Sequence, residues 1–134
     1  WKHNWTFYQG QEMEGIVVGG NIRCFLKLAG TEYFPNLQDK LLLLEARSGD
    51  VTLMLTYLNQ LEQMGAFEKV AGVLLGTFSQ LEKQSGKDKI KELILPFCKH
   101  REIPIAKTQS IGHGEDSKGI WIGKEIKIKE TDFC

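Results

Sequence analysis

The sequence predicts an α/β domain. Three observations carry that prediction. Short apolar runs of strand length recur at residues 15–18, 41–44, 70–75 and 103–108. Between them lie segments whose apolar residues fall at helical spacing, two of them opened by a residue able to cap a helix. The length, 134 residues at 42% hydrophobic and 25% charged, suits one domain with one sizeable core. Strands that alternate with helices assemble as α/β folds.

Taken in order, residues 15–18 (Gly-Ile-Val-Val) read as a short buried strand. Gly19 and Gly20 then turn the chain, and Asn21 caps a helix by accepting a backbone N–H bond. Ile22, Phe25, Leu26 and Ala29 follow at helical spacing, with Gly30 placed to end the helix. A strand, two glycines and a helix suggest a phosphate cradle. Neither a GxGxxG run nor a P-loop lysine is present, so a tight structural turn is the default. Pro35 and Asn36 mark another turn. Leu41 to Leu44 form an unbroken apolar run between Lys40 and Glu45, as expected of a central strand covered on both faces. Asp50 caps an amphipathic helix with Val51, Met54, Leu55, Leu58 and Leu61 along one face, and Gly65 closes it. The apolar run 70–75 ends at Gly76. Residues 88–99 read as a helix with Ile90, Leu93, Ile94 and Phe97 inward. Pro96, which has no N–H to donate, should kink or shorten its last turn. After a strand at 103–108, residues 119–122 and 125–128 suggest a closing hairpin about Gly123-Lys124.

Composition narrows the function. Seventeen basic and seventeen acidic residues balance, and no Lys/Arg block stands out, which disfavours a nucleic-acid or anionic-membrane partner. Zero net charge leaves self-association unopposed, so a homo-oligomer is expected. Trp1, Trp5, Phe7 and Tyr8 follow no core periodicity. They read either as an apolar docking face or as a first strand on the domain's own core. Cys24, Cys98 and Cys134 are odd in number and match no zinc or CxxC spacing, so reduced cytoplasmic thiols are the simplest reading. No apolar run reaches the roughly 18 residues of a spanning helix, and no signal peptide is visible. The chain starts at Trp1 without a Met and reads as a piece of something longer.

His113 is the most suggestive side chain. It lies between Gly112 and Gly114, after the 103–108 strand, and strand-end loops commonly carry chemistry. An exposed imidazole at such a turn can act as a general base; it can equally be an incidental surface histidine. Glu45, at the end of a buried strand, is the best carboxylate to orient it, the other reading being a solvated strand end. Glu115 and Asp116 share the His113 loop, and the three could form at most a weak metal site, so no metal is expected. No nucleophile is evident. Ser48, Ser79, Ser85, Ser110 and Ser117 lie in no G-x-S-x-G elbow, and turn or cap roles fit them.

Five segments in order carry a family resemblance: residues 15–21 ending Gly-Gly-Asn, residues 30–35 (Gly-Thr-Glu-Tyr-Phe-Pro), residues 40–45 ending at Glu45, residues 65–76, and residues 111–114 (Ile-Gly-His-Gly). Together they resemble the C-terminal domain of the LD-carboxypeptidases, serine peptidase family S66. The resemblance covers most of the chain and weakens over the first ten or so residues and after Ile128. One departure is Ala46-Arg47, where the family often has an acidic residue after its glutamate. The resemblance implies one compact domain over residues 1–134, with a mixed, partly parallel sheet flanked by helices. It implies that Glu45 and His113 belong to a Ser-Glu-His triad whose serine sits in an N-terminal domain absent here, that domain being the expected partner. It implies a cytoplasmic enzyme, without metal or organic cofactor, that hydrolyses an amide between an L- and a D-amino acid in muropeptides during cell-wall recycling. Some relatives instead cleave peptide-nucleotide antibiotics and confer immunity. A non-catalytic α/β binding or interaction domain on the same scaffold is the remaining alternative.

Overall fold

The fold is given by a computed structural model that describes residues 4–112 and 122–130. The elements are β1 (Thr6–Gln9), β2 (Glu12–Asn21), α1 (Ile22–Leu26), β3 (Leu41–Ala46), α2 (Val51–Gln63), α3 (Ala66–Lys69), β4 (Gly72–Phe78), α4 (Ser79–Ser85), α5 (Lys89–Cys98), a 3-10 turn (Lys99–Arg101), β5 (Ile105–Lys107) and β6 (Glu125–Lys129). The six strands form one sheet in the order β1-β5-β4-β3-β2-β6. The inner four are parallel, and each edge strand is antiparallel to its neighbour. This is the mixed α/β architecture expected from the sequence.

The strand order makes the two faces of the sheet unequal. From β2 to β5 each crossover steps one strand in the same direction. Crossovers of one hand then lay their helices on one face. The core divides accordingly. Leu42 and Leu44 belong to a cluster with Ile22, Met54, Leu58, Phe67, Leu81 and Ile94, and every buried helical residue of the core falls in it. Leu41 and Leu43 belong to a second cluster with Met13, Val17, Leu74, Ala106, Ile111, Ile126 and Ile128, none of them helical. The four leucines of β3 thus alternate between two apolar layers, which explains their unbroken run.

Several boundaries differ from the sequence reading for identifiable reasons. β2 extends well beyond residues 15–18 because it is paired along both edges, with β6 through Glu12–Ile16 and with β3 through Val17–Asn21. Gly19 and Gly20 therefore continue the strand instead of turning it. At Gly19, φ is +110° and an added Cβ would run into the Leu43 carbonyl, so only glycine fits. Asn21 does cap α1, its Oδ1 accepting from Cys24 N at 3.0 Å, and Asp50 Oδ1 caps α2 through Leu53 N at 2.9 Å. Pro96 lies in the last turn of α5, and the helix tightens to a 3-10 turn after Cys98. Gly123 N and Lys124 O both bond to Val17, so this segment docks on β2. Residues 119–121 of the expected hairpin lie outside the described residues. Trp5 and Phe7 pack on the second cluster and Tyr8 on the first, and Phe7 and Tyr8 lie in β1, as the first-strand reading has them. Trp1 lies outside the described residues.

An ion cluster ties the helical layer together. Arg101 grips Glu62 of α2 with two parallel bonds of 2.7 and 2.9 Å, reaches Glu68 of α3 at 2.6 Å and donates to Phe97 O at 2.7 Å. Beside it Cys98 is fully buried, and burial pushes its thiol up to about 12.

Two outcomes follow. Leu44→Ala should lower unfolding free energy by about 2–5 kcal/mol in urea titrations, since β3 cannot collapse into the void. At pH 7.5 a maleimide should label Cys24, which is exposed, and leave Cys98 unmodified until the protein is unfolded, as read by peptide mass mapping.

Candidate active site at the strand ends

The four parallel strands end together, bringing Asn21, Glu45, Gly76 and Lys107 to one rim of the sheet. Ligand crevices of α/β sheets form outside such ends. The rim is irregular where β3 meets β4. Leu44 pairs with Leu75, and the next pair is Ala46 with Phe78. One residue, Glu45, therefore faces two, Gly76 and Thr77, which is the arrangement of a β-bulge. Bulges re-aim side chains and recur beside active sites. On its other side Glu45 is in register with Asn21. The sequence left two readings of Glu45, an orienting carboxylate at the end of a buried strand and a solvated strand end, and the structure does not give the solvated one. It is only 8% exposed: the sheet continues one residue beyond it, and the segment after β5 packs beside it at Gly76.

That cover depends on Gly76. A Cβ placed there would lie 2.6 Å from Ile111 O and 3.1 Å from Glu45 Cβ. The bare Cα thus lets both Glu45 and the Ile111 backbone approach the space a side chain would occupy. Thr77 N donates to Ile111 O at 2.8 Å, and Thr108 N donates to Leu75 O at 2.9 Å, so the segment is pinned at both ends. Gly112 follows with φ +144°, packed so closely on Thr77 that a side chain would strike Thr77 Oγ1. That hydroxyl is buried and has no hydrogen-bond partner among the described residues.

The opposite face of the rim holds a buried ion pair. Lys107, 5% exposed, donates from Nζ to Gly76 O and to Glu82 Oε2, the latter at 2.8 Å. Glu82 Oε2 also accepts from Phe78 N at 2.6 Å, closing the start of α4, and Glu82 Oε1 accepts from Gln109 Nε2 at 3.1 Å. Burial pushes the Lys107 ammonium below the usual lysine range, and Glu82 opposes that shift. An open groove of about 830 Å³ runs alongside, lined in part by Thr6, Tyr8, Asp88, Lys91, Lys107 and Ser110. In it Tyr8 donates to Asp88 at 2.9 Å. Burial, with that bond, holds the phenol above its usual range.

Of the residues singled out from sequence, Glu45 stands at this rim, and the chain reaches Gly112 beside it. His113, Glu115, Asp116 and Ser117 lie outside the described residues. Ser48, Ser79 and Ser85 are exposed, and Ser110 Oγ shares a hydrogen bond of 2.9 Å with Thr108. Sequence reasoning missed Thr77, Glu82 and Lys107. The available signal was Lys107 itself, a lysine inside an otherwise apolar strand run. No described helix is long and apolar enough to cross a membrane.

The fold has counterparts among known proteins. The LD-carboxypeptidase C-terminal domain profile matches residues 14–128. A Treponema pallidum (strain Nichols) protein named "Putative carboxypeptidase" is 33% identical over 126 residues, covering 92% of this chain and 36% of its own length. The Microcin C7 self-immunity protein MccF of Escherichia coli is 22% identical over 129 residues, covering 96% of this chain and 38% of its own. Among solved structures, MccF in its wild-type apo state matches with a TM-score of 0.84 at 21% identity, over 97% of this chain and 39% of that one. An MccF-like protein from Bacillus anthracis str. Ames matches with a TM-score of 0.71 at 27% identity, over 96% of this chain and 40% of that one. The chain spans a little over a third of the length of these curated relatives. Matched over most of its length, the chain belongs to the LD-carboxypeptidase C-terminal domain family.

Proposed function

We propose that this chain supplies two members of the catalytic triad of a serine-type LD-carboxypeptidase, Glu45 as the orienting carboxylate and His113 as the general base. The nucleophilic serine comes from a separate domain of the same polypeptide. The substrate is a muropeptide cleaved between an L- and a D-amino acid, in the cytoplasm. The observation that supports this reading most directly is the shared approach to Gly76, where Glu45 Cβ and the Ile111 carbonyl, two residues before His113, both approach one bare Cα.

In this mechanism the Glu45 carboxylate accepts the N–H of the imidazole and fixes its tautomer. The opposite ring nitrogen takes the serine proton as the hydroxyl attacks the amide carbonyl. The imidazolium then returns that proton to the departing amine of the D-residue, leaving an acyl-enzyme. Water, deprotonated by the same imidazole, releases the acid product. Burial of Glu45 serves the reaction by keeping competing water from the carboxylate. No step calls for a metal or an organic cofactor.

A second reading, an immunity peptidase acting on peptide-nucleotide antibiotics, is favoured by the likeness to MccF. Identity to the carboxypeptidase-named relatives is greater, 33% and 31% against 22%, and supports the first reading.

The isolated chain should not hydrolyse an L,D-linked tetrapeptide, because base and orienter cannot supply the covalent step. Joined to a serine-bearing domain it should release the terminal D-residue, and hydrolyse an aminoacyl sulfamoyl adenosine more slowly. In the joined protein His113→Ala should cut kcat by about 10⁴-fold, and Glu45→Gln by at least about 10²-fold. Efficient tetrapeptide hydrolysis by the 134 residues alone, or wild-type kcat in His113→Ala, would refute the assignment.

A further inference from the structure

We infer that Lys107, acting with Glu82 and Gln109, is a positioning residue that holds the 108–112 segment against Glu45; the inference rests on the triad reading above. The argument begins with the two sides of Gly76. On one, its missing side chain admits Glu45 Cβ and Ile111 O. On the other, its carbonyl accepts from Lys107 Nζ. The position of the Gly76-Thr77 backbone therefore sets how closely Ile111 and Gly112 settle beside Glu45.

Lys107 is an unusual choice for that role, and its surroundings compensate for it. A lysine 5% exposed loses most of its hydration, which is unfavourable unless it is paired and hydrogen-bonded. Glu82 provides the pairing at 2.8 Å and is itself held by Phe78 N at 2.6 Å. The second oxygen of Glu82 takes Gln109 at 3.1 Å. One carboxylate thus joins the start of α4, the end of β5 and the segment leading to Gly112. An apolar residue at position 107 would fill the same space without fixing Gly76 O or Gln109. A network in which every polar group is satisfied specifies one arrangement.

The test reads His113 without requiring activity. The titration of its imidazole Cε1–H would be followed by NMR in the 134-residue chain. A carboxylate close by stabilises the imidazolium, so the wild-type midpoint should lie above about 6.5, and Glu45→Gln should lower it. Lys107→Met and Gln109→Ala should each lower it toward the Glu45→Gln value, because the segment is no longer held at Glu45. The sign is diagnostic. Removing a nearby positive charge with no change of position would raise the midpoint. A midpoint that falls in Glu45→Gln but stays at the wild-type value, or rises, in Lys107→Met and Gln109→Ala would overturn the positioning role and leave the triad reading standing. A midpoint unmoved by Glu45→Gln would overturn both. Gln109 is exposed, so its variant keeps the test decisive if Lys107→Met fails to fold.

Discussion

The burial of β3 on both faces is the constraint from which the rest of the architecture follows. Leu41, Leu42, Leu43 and Leu44 are each between 0 and 3% exposed, and each stabilises the fold by roughly 1.5–3 kcal/mol through removal from water. A strand apolar on both sides must lie inside the sheet, with its backbone groups paired along both edges and a layer over each face. The chain meets this by stepping outward from β3 in both directions. Helices then cover one face, and the other is closed by β6, the N-terminal aromatics and Ile111. The non-helical face carries Glu45, because residue 45 continues the alternation of Leu41 and Leu43. The placement of the carboxylate is thus a by-product of the core pattern.

Much of this was legible in the sequence. Elements whose signal is local, such as the Asp50-capped helix and the leucine run, appear where periodicity and capping predict them. What escaped is what depends on partners distant in the chain. β1 carries no alternation of its own and exists because Thr6 and Phe7 pair with Lys107 and Ala106. β2 runs through two glycines because Gly19 and Gly20 pair in register with Leu43 and Leu44 of β3, where local rules favour a turn. α3 and α4, of four and seven residues, are too short to show a period.

The site was readable only in part for the same reason. A polar residue ending a buried run marks Glu45, and the family motifs extend that mark to His113. Nothing local announces that Gly76 must lack a side chain for Ile111 to approach, since the clash arises between residues more than thirty positions apart. The ion pair of Lys107 with Glu82 is hidden in part: Lys107 stands out as a lysine in an apolar strand run, but nothing local names Glu82, which looks like ordinary surface charge on a short helix, as its partner.

The sequential strand order also bears on how the molecule forms and opens. Between β2 and β5 every parallel neighbour in the sheet is the next strand in the chain, so each pairing closes a modest loop. The pairings of Thr6 with Lys107 and of Glu12 with Lys129 close loops about as long as the domain. Loops of that length close late, after the short-range contacts have formed. The edge strands are therefore the elements expected to detach first under native conditions, and amide exchange should be slowest along β3 and faster toward both rims. β5 belongs to both regimes, since it docks on β4 early and accepts β1 last. The segment that runs from β5 toward Gly112 is bonded to Leu75 and Thr77 of β4, so it would settle with β5, ahead of the two edge strands.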